Sequence, residues 1–220
     1  SNIDSYDQQI EELEKDLQAK QNKMLICAEK LSKQRKSTTP KIEKQLIEKI
    51  TYLGMPNVRF ECRITAKSHP DSTGIDDLQF MFSANKNVPL QPVADVASGG
   101  EISRVMLCLK SMIAGATALP TIIFDEVDTG VSGEVADKMG QIMKEFGGQM
   151  QVIAITHLPQ IAAKGKAHYF VYKADSQTET TTNLKRLNDN ERIQEIAQML
   201  SGSKITDAAI ENAKEMLGTK

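Results

Sequence analysis

The first 36 residues carry hydrophobic side chains on a seven-residue repeat, and charged or polar side chains fill most other positions. The first seam of this repeat is formed by Ile3, Ile10, Leu17, Met24 and Leu31. The second seam is formed by Tyr6, Leu13, Lys20, Cys27 and Gln34, and it is imperfect at Lys20 and Gln34. A narrow apolar stripe on so polar a helix favours a coiled coil, so we predict a coiled-coil arm over residues 1–36. An amphipathic helix lying on a core is the alternative interpretation.

The pattern predicts a change of structure after residue 36. Residues 37–40, Ser-Thr-Thr-Pro, are expected to break the helix and restart it, because proline suits the first turn of a helix. The restarted helix has an apolar face formed by Ile42, Leu46, Ile47, Ile50 and Leu53, and Gly54 suits its end. Alternating apolar residues at 58–64 and 78–82 then predict two antiparallel strands, and an irregular polar stretch follows them.

From residue 98 onward, short apolar segments alternate with helical patterns. Strands are predicted at 121–124, 152–155 and about 168–173. Helices are predicted to begin at the Gly99-Gly100 pair, to cover about 133–146, and to follow the second strand. This alternation is typical of a parallel α/β sheet. Residues 180–187 are interpreted as an added strand, and helices near 190–200 and 205–217 follow it. We therefore expect an α/β lobe over residues 37–220.

Composition and charge narrow the function classes only a little. The 220-residue chain has a formal net charge of −2, so any contact with nucleic acid would have to be local. Its cysteines, Cys27, Cys62 and Cys108, are far apart and lack a CxxC pair, which argues against a disulfide framework or a zinc site and fits a reducing cytoplasm. No apolar run is long enough to span a bilayer, so we expect no membrane contact.

Polar residues follow two of the predicted strands directly. Asp125 and Glu126 come after the first strand, and Thr156 and His157 come after the second. Ligands of open α/β sheets bind outside the carboxyl ends of the strands. These side chains are therefore expected to lie together at that edge of the sheet, the rim. One acid can hold Mg²⁺, the other can orient or deprotonate an attacking water, and the histidine can steady a terminal phosphate.

The stretch ASGGEISR, residues 97–104, is a candidate anion site. A helix that begins at two glycines exposes backbone N–H groups and the positive end of its dipole. Ser98 adds a hydroxyl donor, and Gly99 and Gly100 allow the backbone to approach a phosphate closely. An ordinary helix start with a serine cap would show the same letters. The position of this stretch, one helix ahead of the two acids, makes the combination more specific.

The order of these motifs resembles the ABC-type ATPases, in which a signature motif, a Walker B strand, a D-loop and a switch histidine follow one another. Within that superfamily the chain is similar to the RecN family of SMC-related DNA repair proteins. The stretches that carry the resemblance are VASGGEISRVMLCLK, IIFDEVDTGVSG, ITHLPQIAA, AHYFVYK and ERIQEIAQMLSG. The resemblance implies the C-terminal lobe of an ABC/SMC-type P-loop ATPase head over about residues 40–220, with a coiled-coil arm segment before it.

The resemblance also implies a role for each matching residue. The signature motif, which contacts the γ-phosphate of ATP held on a second head, would consist of Ser98, Gly99, Gly100 and Glu101. Asp125 would serve Mg²⁺, Glu126 would polarise the hydrolytic water, and His157 would be the switch histidine.

The D-loop at the dimer seam would comprise residues 128–132. Ser132 stands where many ABC proteins carry the D-loop aspartate, which leaves the contact made by that aspartate open here. Asp128 is the candidate to replace it beside the nucleotide.

One motif of the superfamily is missing from this sequence. No GxxxxGK[ST] phosphate-binding loop is present, because Lys164-Gly165-Lys166 is followed by Ala167 and lacks the upstream glycine. In RecN-like and SMC-like chains this loop belongs to an N-terminal lobe. The resemblance therefore implies a C-terminal fragment that binds ATP poorly and does not hydrolyse it alone. Its implied partners are that N-terminal lobe, a second head joined through ATP, and DNA in double-strand break repair and recombination.

Other interpretations stay open at this point. A basic cluster, formed by Lys33, Arg35, Lys36, Lys41 and Lys44, suits DNA phosphates, although a solvated helix face is the simpler interpretation. The head could belong to another SMC-like or RecF-type ATPase. It could also be part of a coiled-coil scaffold that never hydrolyses ATP.

Overall fold

The structure is a computed structural model that describes residues 2–96, 99–114, 119–175, 180–202 and 204–219. The chain divides into two compact units. Unit 1 consists of Ser1–Glu48 and Asn57–Val96, and unit 2 consists of Lys49–Pro56 and Ala97–Lys220. The predicted boundary between arm and lobe at residue 36 falls inside unit 1. No helix in the described part of the chain is both long and apolar enough to cross a bilayer.

The first helix, α1 (Asn2–Tyr52), runs without a break through Pro40. The prediction that residues 37–40 interrupt it is wrong. A proline inside a helix costs about 3 kcal/mol, so neighbouring contacts must hold the helix together. Before the proline, the Ser32 hydroxyl donates to the buried Asp76 carboxylate at 2.8 Å. After it, Glu43 accepts the backbone N–H of Cys62 at 2.7 Å.

The predicted coiled-coil seam is exposed on the described part of α1. Its large side chains are between 37% and 68% exposed: Tyr6, Ile10, Leu13, Leu17, Met24 and Leu31. This part of the seam therefore does not lie on a core formed by the described residues. A coiled-coil partner for the seam stays a prediction.

Unit 1 also holds a three-stranded antiparallel sheet. Its strands are β1 (Arg59–Asp71), β2 (Gly74–Ser83) and the short β3 (Gln91–Pro92), and a 3-10 turn follows over Val93–Asp95. The predicted antiparallel pair is confirmed, with Phe60 opposite Phe82 and Cys62 opposite Phe80. Burial raises the pKa of the Cys62 thiol to about 11, with Glu43 and Glu61 adding to the shift. The thiol is therefore an inert core group.

Unit 2 contains the α/β elements that the sequence predicts after residue 98. They are α2 (Gly99–Ala114), β4 (Thr121–Asp125), α3 (Gly133–Phe146), β5 (Gln151–Ile155), α4 (Pro159–Ala162), β6 (Tyr169–Asp175), β7 (Thr180–Arg186), α5 (Asp189–Ser201) and α6 (Asp207–Leu217). β4 and β5 pair in parallel. The prediction of a third parallel strand in that sheet is wrong for the described residues, since β6 pairs with β7 as an antiparallel hairpin.

The last two helices pack around a small apolar core with α4. Its buried members are Ala163, Ile196, Ala197, Ala209 and Ala213. An N-terminal capping box at Asn188 and Glu191 fixes the start of α5, and Thr206 caps α6. Gly140 of α3 lies so close to α4 that a Cβ there would come within 3.1 Å of the Gln160 carbonyl oxygen. This close packing sets the position of the segment that leaves β5.

A half-buried histidine beside α5 is expected to make the stability of unit 2 depend on pH. His168 precedes β6, and its pKa is lowered first by burial and then by the positive charge of Arg192. Because the folded state disfavours the proton, the unfolded chain binds it more readily below the ordinary pKa of about 6.5. We expect the melting temperature of the chain to fall as the pH decreases through that value. His168→Gln should flatten this dependence in thermal scans at several pH values, whereas the exposed control His69→Gln should retain it.

Candidate functional site

The predicted rim exists at the carboxyl ends of β4 and β5. The two strands are in parallel register from Thr121 opposite Gln151 to Asp125 opposite Ile155. The pairing continues one residue further, because the Glu126 backbone N–H donates to the Ile155 carbonyl at 3.3 Å. Asp125 and Glu126 therefore leave their strand at the same edge as His157, and all three residues are exposed. The sequence prediction that the two strands are neighbours is confirmed.

Glu126 has an unusual backbone conformation. Its φ of 47° is the only positive φ of a non-glycine residue in the described ranges. The Thr129 backbone N–H and hydroxyl both donate to the Glu126 carbonyl oxygen, at 3.4 and 3.0 Å. These bonds close a tight turn directly after the strand. Left-handed residues other than glycine cluster at functional sites, where the surrounding structure holds them.

Asp128 turns inward, away from the rim surface. Its side chain is fully buried. Its Oδ2 accepts hydrogen bonds from the Thr156 hydroxyl and from the His157 backbone N–H, the latter at 3.2 Å. The imidazole Nδ1 of His157 lies 3.5 Å from the same oxygen. The carboxylate has no exposed surface, which argues against the predicted direct contact between Asp128 and a nucleotide.

The start of α2 lies against the turn that follows Glu126. A Cβ on Gly100 would come within 3.0 Å of the Thr129 carbonyl oxygen, so only glycine fits there without a shift. Gly99 is exposed, and no atom of the described residues outside its immediate chain neighbours and its own helix backbone lies within 4 Å of the position that a Cβ would take. The glycines therefore differ: Gly100 permits close packing, and Gly99 leaves room for a ligand. Ser98 falls outside the described residues, and Glu101 is half-buried in the first turn of α2.

Arg104 fixes the first turn of α2 from its other side. Its Nε donates to the Gly100 carbonyl at 3.0 Å, and its Nη1 donates to the Leu53 carbonyl at 3.1 Å. Sequence reasoning missed this residue, and only its place one helical turn after Gly100 could have pointed to it. It also missed the part played by Thr156, whose hydroxyl links Asp128 to the histidine segment.

The stacked rings of Phe124 and Phe146 form an apolar floor beneath the rim. Phe124 is fully buried beside the two acids, and its ring stacks on Phe146 with centroids 6.2 Å apart. The Lys110 ammonium lies 5.6 Å from the Phe124 ring centroid. An aromatic pair of this kind contributes about 0.5–1.5 kcal/mol beyond its burial. The floor therefore holds the strand end at which Asp125 and Glu126 emerge.

The rim offers an exposed carboxylate of the kind that holds a magnesium ion together with phosphate. Mg²⁺ in nucleotide sites is usually held by one or two carboxylates together with water and phosphate oxygens. Asp125 offers an exposed carboxylate at the end of β4. Within the described ranges no group of three or more His, Cys, Asp or Glu side chains is placed to hold a metal ion.

The chain is similar in sequence to several bacterial DNA repair proteins named RecN. It is 35% identical to that of Vibrio cholerae over 216 residues, 98% of this chain and 39% of the relative. It is 40% identical to that of Rickettsia felis over 197 residues, 90% of this chain and 36% of the relative. It is 37% identical to that of Deinococcus radiodurans over 205 residues, 93% of this chain and 36% of the relative. The chain thus spans little more than a third of these relatives, and no family model matches it.

Solved structures of SMC heads share the fold. The Smc head domain with a coiled coil and joint from Pyrococcus yayanosii has a TM-score of 0.58 and 17% identity, covering 88% of this chain and 36% of that one. A structure from a study of ATP-driven dimerization and DNA stimulated activation of SMC ATPases has a TM-score of 0.50 and 16% identity, covering 76% of this chain and 96% of that one. At such identities the likeness shows the fold alone, which is that of an SMC-type head.

Proposed function

We propose that this chain, which belongs to the RecN family over the region it shares with those proteins, is the C-terminal part of an ATPase. The complete ATPase would act in DNA double-strand break repair and recombination. The observation that carries the proposal is the shared rim. Two consecutive acids and a histidine leave neighbouring parallel strands at one edge, above a buried aromatic floor.

In this proposal each rim residue has one task in ATP hydrolysis. Asp125 holds Mg²⁺, which neutralises charge on the phosphates when it is bound. Glu126 orients and polarises the attacking water, and its turn-held backbone limits where the carboxylate can point. His157 contacts the terminal phosphate, since its side chain is 67% exposed at the same edge.

The signature motif serves a second head rather than its own. Ser98, Gly99, Gly100 and Glu101 would contact the γ-phosphate of ATP held on the opposite copy. The exposed position of Gly99 supports this role, as do the first-turn N–H groups that any helix leaves without an intrahelical partner. ATP would then lie between two heads, and its hydrolysis would release them.

The N-terminal lobe of the same protein is the proposed cover for the open side of the sheet. β4 and β5 form a two-stranded sheet, which is marginal by itself. Its exposed large apolar side chains are Ile123, Ile153 and Ile155, at 57%, 43% and 52% exposure. A patch of this kind marks an interaction site. The relatives are long enough to supply both the cover and the missing phosphate-binding loop.

DNA is the remaining proposed partner, and the arm would hold it. The basic cluster offers DNA less positive charge than its five members suggest. Arg35 is paired with Asp76 at 3.3 Å and donates to the Thr73 carbonyl at 2.9 Å, so its guanidinium is already engaged. Four exposed lysines of the cluster stay available: Lys33, Lys36, Lys41 and Lys44. A cytoplasmic protein associated with the nucleoid would meet its substrate directly.

Survival after double-strand breaks tests the repair role. Cells lacking the complete protein should regain resistance to ionising radiation when they carry the wild-type gene. They should stay sensitive when they carry Asp125→Asn, provided that both proteins accumulate to equal levels. Full resistance with Asp125→Asn would show that repair does not need the proposed magnesium ligand.

A further inference from the structure

The proposed function leaves one side chain at the site without a task, the fully buried carboxylate of Asp128. A buried charge is costly unless hydrogen bonds compensate for the lost water. The side-chain contacts of Asp128 all fall on one oxygen, Oδ2, which meets the Thr156 hydroxyl, the His157 backbone N–H and the His157 ring. Its other oxygen, Oδ1, is buried and has no partner in the part of the chain that the structure describes. Such a half-satisfied carboxylate adds little net stability, so stability does not explain an aspartate at this position.

The hydrogen bonds around Thr156 have a fixed direction. The Leu158 backbone N–H donates to the Thr156 hydroxyl oxygen at 3.0 Å. The single hydroxyl proton then points to Asp128, because a carboxylate can only accept. Asp128 thus holds Thr156 and the His157 backbone N–H directly, and it reaches Leu158 only through the Thr156 hydroxyl. The turn that presents the histidine is anchored to the residue two positions after Glu126.

We infer that Asp128 is a positioning residue that sets the orientation and the tautomer of the His157 side chain. Nδ1 lies 3.5 Å from the Asp128 carboxylate, which is an electrostatic contact rather than a hydrogen bond. The negative charge beside Nδ1 favours the neutral form that carries its proton on that nitrogen. Nε2 is then the nitrogen left for a ligand at the exposed rim. The meaning of this arrangement for hydrolysis rests on the proposed function, but the tautomer itself does not.

Long-range ¹H–¹⁵N NMR spectra of the 220-residue chain at a pH of about 8.5 test the inference without any nucleotide. The chain has three histidines, so His157 can be assigned by the loss of its signals in His157→Gln. The wild-type chain should show His157 protonated on Nδ1. Asp128→Asn should move the population towards the form protonated on Nε2, since an amide can donate to Nδ1.

Two further variants separate positioning from folding. Thr156→Val removes the hydroxyl donor and should broaden or shift the His157 signals, whereas Thr156→Ser keeps the donor and should restore them. The matched control is Asp137→Asn, which removes an exposed carboxylate of α3 that pairs with Lys164. It should leave the His157 spectrum unchanged. Circular dichroism shows whether each variant is folded.

In the complete protein, Asp128→Asn should lower kcat for ATP by about 10–100-fold with little change in KM. The inference is overturned if wild-type His157 carries its proton on Nε2, a result that needs no variant to fold. It is also overturned if a folded Asp128→Asn chain gives the wild-type spectrum. If Asp128→Asn changes the His157 tautomer but the wild-type complete protein hydrolyses no ATP, the positioning role stands and the proposed function is refuted.

Discussion

Glu126→Gln in the complete protein is expected to lower the rate of ATP hydrolysis by about 10²–10⁴-fold while ATP binding is retained. Glutamine has nearly the same size and conformational range, so the turn held by Thr129 should survive the change. The change removes the negative charge that is proposed to polarise the attacking water. Because binding persists without turnover, heads should accumulate in the ATP-joined state. Steady-state hydrolysis and equilibrium binding of a fluorescent ATP analogue measure the two effects separately.

The control for this variant is Glu134→Gln. Glu134 is an exposed glutamate in the first turn of α3, where it pairs with Lys138 at 2.7 Å. Losing an exposed ion pair of this kind has little effect on stability and should leave turnover near the wild-type rate. Unchanged hydrolysis in Glu126→Gln would instead favour the interpretation of this head as a scaffold whose acids do no chemistry.

The 220-residue chain alone is expected to show no measurable ATP hydrolysis, and addition of the separately expressed N-terminal lobe should restore it. In the proposed site the rim supplies one acid for the metal and one for the water, but the sequence contains no loop of the GxxxxGK[ST] type to hold the phosphates. Positioning accounts for most of the catalysis in phosphoryl transfer, so loss of the phosphate cradle should remove nearly all of it. Co-purification followed by a phosphate-release assay measures both association and turnover.

Association with the lobe should depend on the exposed apolar face. Ile153→Glu places a charge in the middle of that face and should abolish co-purification, whereas Glu145→Gln on α3 should not affect it. The Glu126→Gln chain should bind the added lobe as the wild-type chain does, but ATP hydrolysis should not return. Hydrolysis by the chain alone, after removal of contaminating ATPases, would contradict the proposal that a second lobe completes the site.

The sequence predicts the rim well because its signal is local. The apolar runs before Asp125 and Thr156 define strand ends, and parallel strands bring their carboxyl ends to one edge. The limits of α3 could be predicted for the same reason, since its apolar residues recur at helical spacing and it ends at a glycine. In each case the limits of the element are determined by a single stretch of chain.

The features that sequence reasoning missed depend on distant parts of the chain. Pro40 lies within a continuous helix because α1 is held by Asp76 of β2 and by the backbone N–H of Cys62 in β1. The apolar run of β6 suits a parallel strand or a hairpin equally, and its pairing with β7 decides between them. Glu126, two residues before the buried Asp128, has a positive φ that no propensity assigns to a glutamate.

The claim on which the account depends is that each ATP site is shared between two heads, with Glu126 from one and Ser98 from the other. Mixing two inactive forms of the complete protein, Glu126→Gln and Ser98→Arg, tests it most directly. At equal amounts and with free exchange, half of the dimers are mixed and one of their two sites is intact, so hydrolysis should recover to about a quarter of the wild-type rate. A mixture as inactive as each variant alone, with mixed dimers demonstrated by differential tags, would contradict the account.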